Sequence, residues 1–329
     1  MAKKRFDFLT IGGATRDIMF NVGHDEAVKE KDLAKRGLLA FKLGAKIAVP
    51  EVHLTLGGGA ANTAVALAKL GFKVATILRV GQDDDGEAMI RQLSRHKIET
   101  RFIQIDEHLP TSFSVILMPS GAIDEERQYV AFLCRSANER LFVKDRQWRS
   151  VKPKWIYLTS LPAKGWPEIM ASVQMIIKKR RSKMIWNPGS RQLVQPKLMK
   201  KFLLLAEVLI LNREEAMKLL AALNGRRTAN TKILLKNLRQ SGPKIIVVTN
   251  GAKGADAYDG KDYYHQKALP AKALDTTGVG DAFGAGFAAG LVYYHYDLAQ
   301  ALYLGARNSA VAISRVGAQI GLLNVNDLT

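Results

Sequence analysis

Cysteine is all but missing from this 329-residue chain: Cys134 stands alone. No internal disulfide can form, and a reducing compartment, the cytoplasm, is expected. No apolar run reaches the ~20 residues that a spanning helix needs, so no membrane partner is expected. The start MAKKRFDFLTIGGA has the basic-then-apolar look of a secretion signal. Asp7 interrupts its apolar stretch, however, and the run ends at glycines where a first buried strand would end. The six histidines are scattered, and no His/Cys set has metal-ligand spacing. A P-loop is absent, and so is the GxSxG elbow of serine hydrolases. Acidic residues are in deficit: 30 Asp+Glu face 49 Lys+Arg, a formal net charge of +19.

Such a balance attracts anions in general, nucleotides and nucleic acids included. The densest cluster is KKRRSK, Lys178 to Lys183, which follows an apolar helical pattern. Cations at a helix C-terminus complement its dipole. No nucleic-acid-reading motif accompanies them, so no specific nucleic-acid partner is expected.

What is present is a chain that is 47 % hydrophobic and 24 % charged, ordinary for a globular protein with a sizeable core. Short apolar runs (FDFLTIGG, KVATILRVG, KWIYLTS, KMIWNP, EVLILN and KIIVVTNG) predict strands buried on both faces. Helical patterns such as GEAMIRQLSRH, PEIMASVQMIIKKR, REEAMKLLAAL and DAFGAGFAAGLVYY alternate with them. That alternation predicts a doubly wound α/β fold with a mostly parallel sheet. Residues 15–56 and 100–135 break the pattern. TSFSVILMP and RQYVAFLC there look like extended segments joined by the turn SGAIDEE. A small β lid inserted into one domain spanning 1–329 accounts for both regions.

Polar residues and turn formers cluster where strands end, which is where open α/β sheets bind ligands. Asp17 follows strand one; Ser160, Asn187, Asn212, Asn250 and Gly251 close later ones. The most informative stretch is DTTGVGDAFGAGF, Asp275 to Phe287. Gly278 and Gly280 let the backbone approach a ligand closely, and the helix that follows points free N–H groups into the turn, an anion-binding arrangement. Asp281 at this junction has two readings. It is either a first-turn acid responding to the dipole, or a base that takes a proton from a hydroxyl attacking a phosphoryl group. GGGAAN lacks the GxGxxG spacing and follows no clear strand, so a dinucleotide site is not expected.

Taken together, these motifs resemble the ribokinase (PfkB) family of sugar and nucleoside kinases. DTTGVGDAFGAGF is similar to the family's C-terminal signature and GGGAANTAVALAKLG, Gly57 to Gly71, to its N-terminal one. VGQDDDG, LNREEA and VTNGAKGA lie between them in the family's order. The resemblance covers almost the whole chain. It implies a three-layer ribokinase-like fold and ATP-dependent phosphorylation of a sugar hydroxyl. It implies Asp281 as base and the amides of Gly278, Val279 and Gly280 as an anion hole. Asn212 and Glu215 would organise Mg2+, Glu215 partly through water. Thr249, Gly251 and Gly254 would lie near the nucleotide phosphates and ribose, and Asn308 beside the adenine. Asp17, Gly58, Gly59 and Asn62 would bind the acceptor's hydroxyls, with Asn138 near the substrate under the lid. Asp275 and Thr277, with backbone near Gly317, would hold a monovalent cation such as K+. Lid pairing would make a homodimer.

Adenosine or another nucleoside is the alternative acceptor, with Phe20, Phe113 and Phe132 available to stack a base. A nucleotide-binding regulator without turnover is the alternative of another class, and Asp281 argues against it. Only Arg16 and Arg135 stand near the matched acceptor residues, neither with a partner arginine close in sequence. A neutral polyol is therefore the expected acceptor, because phosphate recognition favours clustered arginine.

Overall fold

The structure is a computed structural model and describes residues 4–22, 40–119, 130–143 and 151–328. The predicted turn SGAIDEE and part of the 15–56 segment lie outside these residues.

The chain opens with β1 (Lys4–Ile11), β2 (Thr15–Val22) and β3 (Val52–Gly57), then helix α1 (Gly59–Lys69). β4 (Val74–Ile77), β5 (Arg79–Gly81), α2 (Asp84–Arg95) and β6 (Gln104–Asp106) follow, then β7 (Phe113–Pro119) and β8 (Val130–Cys134). Next come β9 (Val151–Leu158), α3 (Trp166–Arg180), β10 (Lys183–Trp186), β11 (Val208–Asn212), α4 (Arg213–Asn224) and α5 (Thr231–Arg239). β12 (Ile245–Thr249), β13 (Ala255–Tyr258), β14 (Tyr263–Gln266), α6 (Val279–Tyr293) and α7 (Leu298–Ala312) complete it.

Eight strands form the central sheet in the order β14-β13-β12-β11-β10-β9-β1-β4. β4 through β12 in that order run parallel, while β13 and β14 form an antiparallel edge. Register aligns the strand ends: Ile11 lies beside both Ile77 and Leu158, and Leu158 beside Trp186. Both faces are buried, as the near-continuous apolar strands require. On one face Phe8, Tyr157, Ile210 and Val247 pack with α1, α6 and α7. On the other, Leu9, Ile156, Trp186 and Val248 pack with α3, α4 and α5. This is the predicted three-layer α/β fold. A second sheet, ordered β3-β2-β7-β8, stands apart from it and contains the extended segments read from 100–135. Among the described residues no helix is long and apolar enough to cross a membrane.

Three sequence expectations change. KVATILRVG is two strands, because Arg79 turns out of the central sheet to pair with Gln104, and its guanidinium bonds to the buried Asp106 at 3.0 Å. GGGAAN does follow a strand: β3 runs directly into it, and α1 begins at Gly59. α5, α7 and the antiparallel edge are absent from the sequence expectations: β13 and β14 are four residues each, too short for a period to show, while α5 does carry an apolar face in Leu234, Leu235 and Leu238.

Candidate active site

The two glycine-rich signatures meet at the aligned strand ends. Asn62, in the first turns of α1, donates from Nδ2 to Asp281 Oδ2 at 2.9 Å, across 219 residues of sequence. Gln319 donates to Asn62 Oδ1 at 3.0 Å and so fixes which way that amide points. Asn62 and Gln319 are both buried. Burial raises the Asp281 pKa above its ordinary value, while the Asn62 hydrogen bond pulls it back.

Gly278 caps α6 with φ 73° and ψ 1° and no side-chain cap. An L-residue is strained there, and a Cβ would sit 2.3 Å from Ala318 Cβ. The Val279 N–H makes a long bond to Thr276 O at 3.4 Å. Among the described residues, no acceptor meets the N–H groups of Gly280 or Asp281. The space beside Gly280 is open. Unpaired first-turn amides at the positive end of a fifteen-residue helix suit an anion.

Asp17 sits on β2 and accepts from Ser114 Oγ at 2.6 Å. Its carboxylate lies so close to β3 that a Cβ on Gly57 would fall 1.9 Å from Oδ2. Burial pushes the Asp17 pKa up to about 6; the nearby charges of Asp275 and Asp281 add to the rise, against Ser114 and Arg16. Asp275 is buried and accepts from the N–H groups of Thr277 and Gly317, each at 2.8 Å. Beside it Thr277 Oγ1 is buried with no hydrogen-bond partner, the kind of orphan that calls for an explanation. Asp275, Thr277 and Gly317 thus come together as expected, with one oxygen still unused.

A cavity of ≈ 140 Å³ lies beside this centre, walled by Gly58, Gly59, Phe113, Asn138 and Ser160 among others. Asn138 is tied to Ala14, accepting from its N–H at 3.2 Å and donating to its carbonyl at 2.9 Å. Arg135 also lines the cavity and bonds Ser160 Oγ at 3.1 Å. Burial and the positive field of Arg191 lower its pKa, against Glu139. No arginine lies close to Arg135 in sequence, as read above; Arg191 acts on it from a remote segment, which spacing along the chain could not show. Arg16 is committed to Asp85 at 2.6 Å. Of the aromatics, Phe113 lines the cavity and Phe132, which is exposed, does not.

On the nucleotide side, Asn212 and Glu215 form a reciprocal capping box on α4. Glu215 N–H donates to Asn212 Oδ1 at 2.8 Å, and Asn212 N–H donates to Glu215 Oε2 at 2.9 Å. The spacing NxxE is thus also a helix-start signal. Glu215 retains Oε1, and burial raises its pKa. Among the described residues no group of three or more His, Cys, Asp or Glu could hold a metal directly. A single carboxylate oxygen fits a hydrated Mg2+, which keeps most of its waters. Thr249 ends β12, and Gly251 and Gly254 shape the turn after it, closed by Gly254 N–H to Gly251 O at 3.0 Å. Asn308 departs from expectation. Its side chain is fully buried, donating to Ala282 O at 2.7 Å and accepting from Leu323 N–H at 2.9 Å. Both polar atoms of that amide are thus engaged inside the protein. Sequence spacing missed Gln319 and Arg191, both of which act only through three-dimensional proximity.

Comparison with known proteins places this geometry. The profile of the pfkB family carbohydrate kinases matches residues 21–324. A fructokinase from Klebsiella pneumoniae is 28 % identical over 285 residues, covering 83 % of this chain and 90 % of its own. A mouse (Mus musculus) ribokinase is 28 % identical over 289 residues, 84 % of each. The structure of Arabidopsis thaliana ribokinase complexed with ribose and ATP superposes with a TM-score of 0.78 at 21 % identity, covering 100 % of this chain and 98 % of that one.

Asn308→Ala should leave the Leu323 N–H buried and unpaired and remove the bond that the Ala282 carbonyl accepts beyond its helical one, lowering stability by on the order of 2 kcal/mol. Calorimetric unfolding measures the loss, and an unchanged melting temperature would remove the structural role assigned to this amide.

Proposed function

The chain belongs to the pfkB family of carbohydrate kinases, and from that premise we propose that it transfers the γ-phosphoryl group of ATP to a sugar hydroxyl with Asp281 as base. Membership makes it an ATP-dependent sugar or nucleoside kinase. The finer reading rests on one observation: a half-buried carboxylate, oriented by Asn62, sits beside unpaired helix N-terminal amides. In this reading the acceptor hydroxyl gives its proton to Asp281 as its oxygen bonds to the γ-phosphorus. The bond to the β-phosphate oxygen breaks, and ADP leaves with the electron pair. The turn Gly278–Val279–Gly280 meets the charge on the transferring group, where fixed donors act most strongly. Desolvation makes Asp281 a stronger base than a solvated carboxylate, while the Asn62 hydrogen bond opposes that rise and aims the carboxylate.

Asp17, Gly58, Gly59, Asn62 and Asn138 would frame the acceptor, and Thr249, Gly251 and Gly254 the nucleotide. Mg2+, held through water at Glu215, would neutralise phosphate charge. The unused Thr277 Oγ1 beside Asp275 would complete a monovalent-cation site. The four-stranded sheet would act as the lid of a single domain, excluding water during transfer. Leu54, Val130 and Phe132 on its edge strands are exposed and would pair with a second copy.

A charged acceptor is the second reading, favoured by Arg135 at the cavity wall with Arg191 nearby. A planar guanidinium grips phosphate or carboxylate in two places. It stands beside the neutral polyol as an alternative acceptor class.

Asp281→Asn should preserve folding and ATP affinity while kcat falls by roughly 10²–10⁴-fold. Near-normal turnover would remove Asp281 as base. Asp17, at about 6, is ionised above that pH and accepts hydroxyl hydrogen bonds; as pH falls through 6 it protonates and that capacity is lost. The acceptor KM should therefore rise below pH ~6, and Asp17→Asn should flatten this dependence. Finally, kcat/KM for an anionic sugar should exceed that of its neutral counterpart by roughly tenfold, and Arg135→Leu should abolish the difference. Equal values in the unaltered enzyme would return the acceptor to neutral polyols.

A further inference from the structure

At the opposite end of the sheet, where β1, β9 and β10 begin, lies a second and larger cleft of ≈ 650 Å³. Arg5 and Lys152 reach it from strand starts, and Lys179, Arg180 and Arg181 from the end of α3. Lys183 enters from β10, and His295 and Tyr296 from just beyond α6. No aspartate or glutamate lines it. Lys154, also at the wall, is bonded to Asp7 at 2.9 Å. Among the described residues, Arg5, Lys152, Lys179, Arg180, Arg181 and Lys183 have no carboxylate partner.

Ordinary explanations cover part of this. Cations in the last turn of α3 complement its dipole. Arg5, Lys152 and Lys183 lie on strands, which carry little net dipole, so that account does not reach them. Like charges gathered in a concavity repel one another and focus a positive potential there. The backbone adds a second observation. Five described residues other than glycine have positive φ, and three of them line this cleft: Arg181 at 55°, His295 at 48° and Tyr296 at 70°. All three sit at or just beyond the C-terminal ends of α3 and α6, where a left-handed residue commonly closes a helix, although the conformation is costly for residues other than glycine.

We propose that this cleft is a second ligand site, for a compact anion bearing two or more phosphoryl groups. Its shape and rings favour a compact ligand over a nucleic-acid strand. Trp155 is buried, and the Lys183 ammonium stands 4.3 Å from the Tyr296 ring centroid and 5.4 Å from that of Trp155. The ring faces are thus occupied by a fixed cation and offer no platform for stacking bases.

Calorimetric titration of the full chain with inorganic tripolyphosphate tests this, at ~150 mM salt, where scattered surface charge is screened. The comparison is the triple variant Lys152→Ala, Arg180→Ala, Arg181→Gly, in which glycine keeps the left-handed backbone. Tripolyphosphate should bind the unaltered protein and bind the variant roughly tenfold or more weakly, with kcat and the ATP KM unchanged. Equal binding by both proteins would place the anion elsewhere, at the nucleotide site, and overturn the proposal. So would absence of binding at this salt. A single-stranded oligonucleotide that binds more tightly than tripolyphosphate, and is lost in the same variant, would overturn the compact-ligand assignment. Should the triple variant misfold by circular dichroism, Lys152→Glu alone supplies the comparison, with the same outcomes.

Discussion

The hydrogen bond from Asn62 to Asp281 is the contact on which the arrangement turns. It joins the start of α1 to the start of α6, and both helices pack on the same face of the sheet. Asn62 in turn is held by Gln319 from the C-terminal segment. Three stretches distant in sequence thus converge on one carboxylate. The convergence is tight: Gly278 leaves no room for a side chain against Ala318, and its nearest polar neighbour is the Asn62 amide. A single methyl group at that point would push the C-terminal segment at Ala318 away from the start of α6 and crowd the Asn62 amide.

Burial and charge act together around this contact. Asp17 feels the charges of Asp275 and Asp281 within a protein of net charge +19. Each is managed by a different partner: Ser114 for Asp17, backbone N–H groups for Asp275, and Asn62 for Asp281. The same desolvation that raises the Asp17 and Asp281 pKa values strengthens every hydrogen bond made to them. The excess of positive charge lies outside this acidic centre. One concentration of it is the cleft at the far end of the strands, so the two ends of the sheet present opposite local chemistry.

Several motif residues serve folding with the same atoms that a ligand would use. Asn212 and Glu215 close a capping box. Asn138 clips the turn at Ala14, and Asn308 ties α6 to α7 and the C-terminal segment. For Asn308 the structural use is complete, since both its donor and acceptor are buried and paired. For Glu215 it is partial, because one carboxylate oxygen remains. Satisfied hydrogen bonds therefore separate residues that could reach a ligand from those that could not, which spacing alone does not do.

The sequence by itself determined the sheet's parallel core, its helical layers and the two signatures. Period and composition carry that information: strands buried on both faces must read as apolar runs, and a glycine nest before a helix has few other uses. The split of KVATILRVG and the antiparallel edge are hidden because their strands are only three or four residues long, too short for a period to show. Only the tertiary structure decided which polar groups meet. Gln319 behind Asn62, Arg191 beside Arg135, and Arg5 and Lys152 joining the KKRRSK cluster all come from segments far apart in the chain. Hydrogen bonds and charge fields act over a few ångströms of space, and separation along the sequence carries no record of them until the chain has folded.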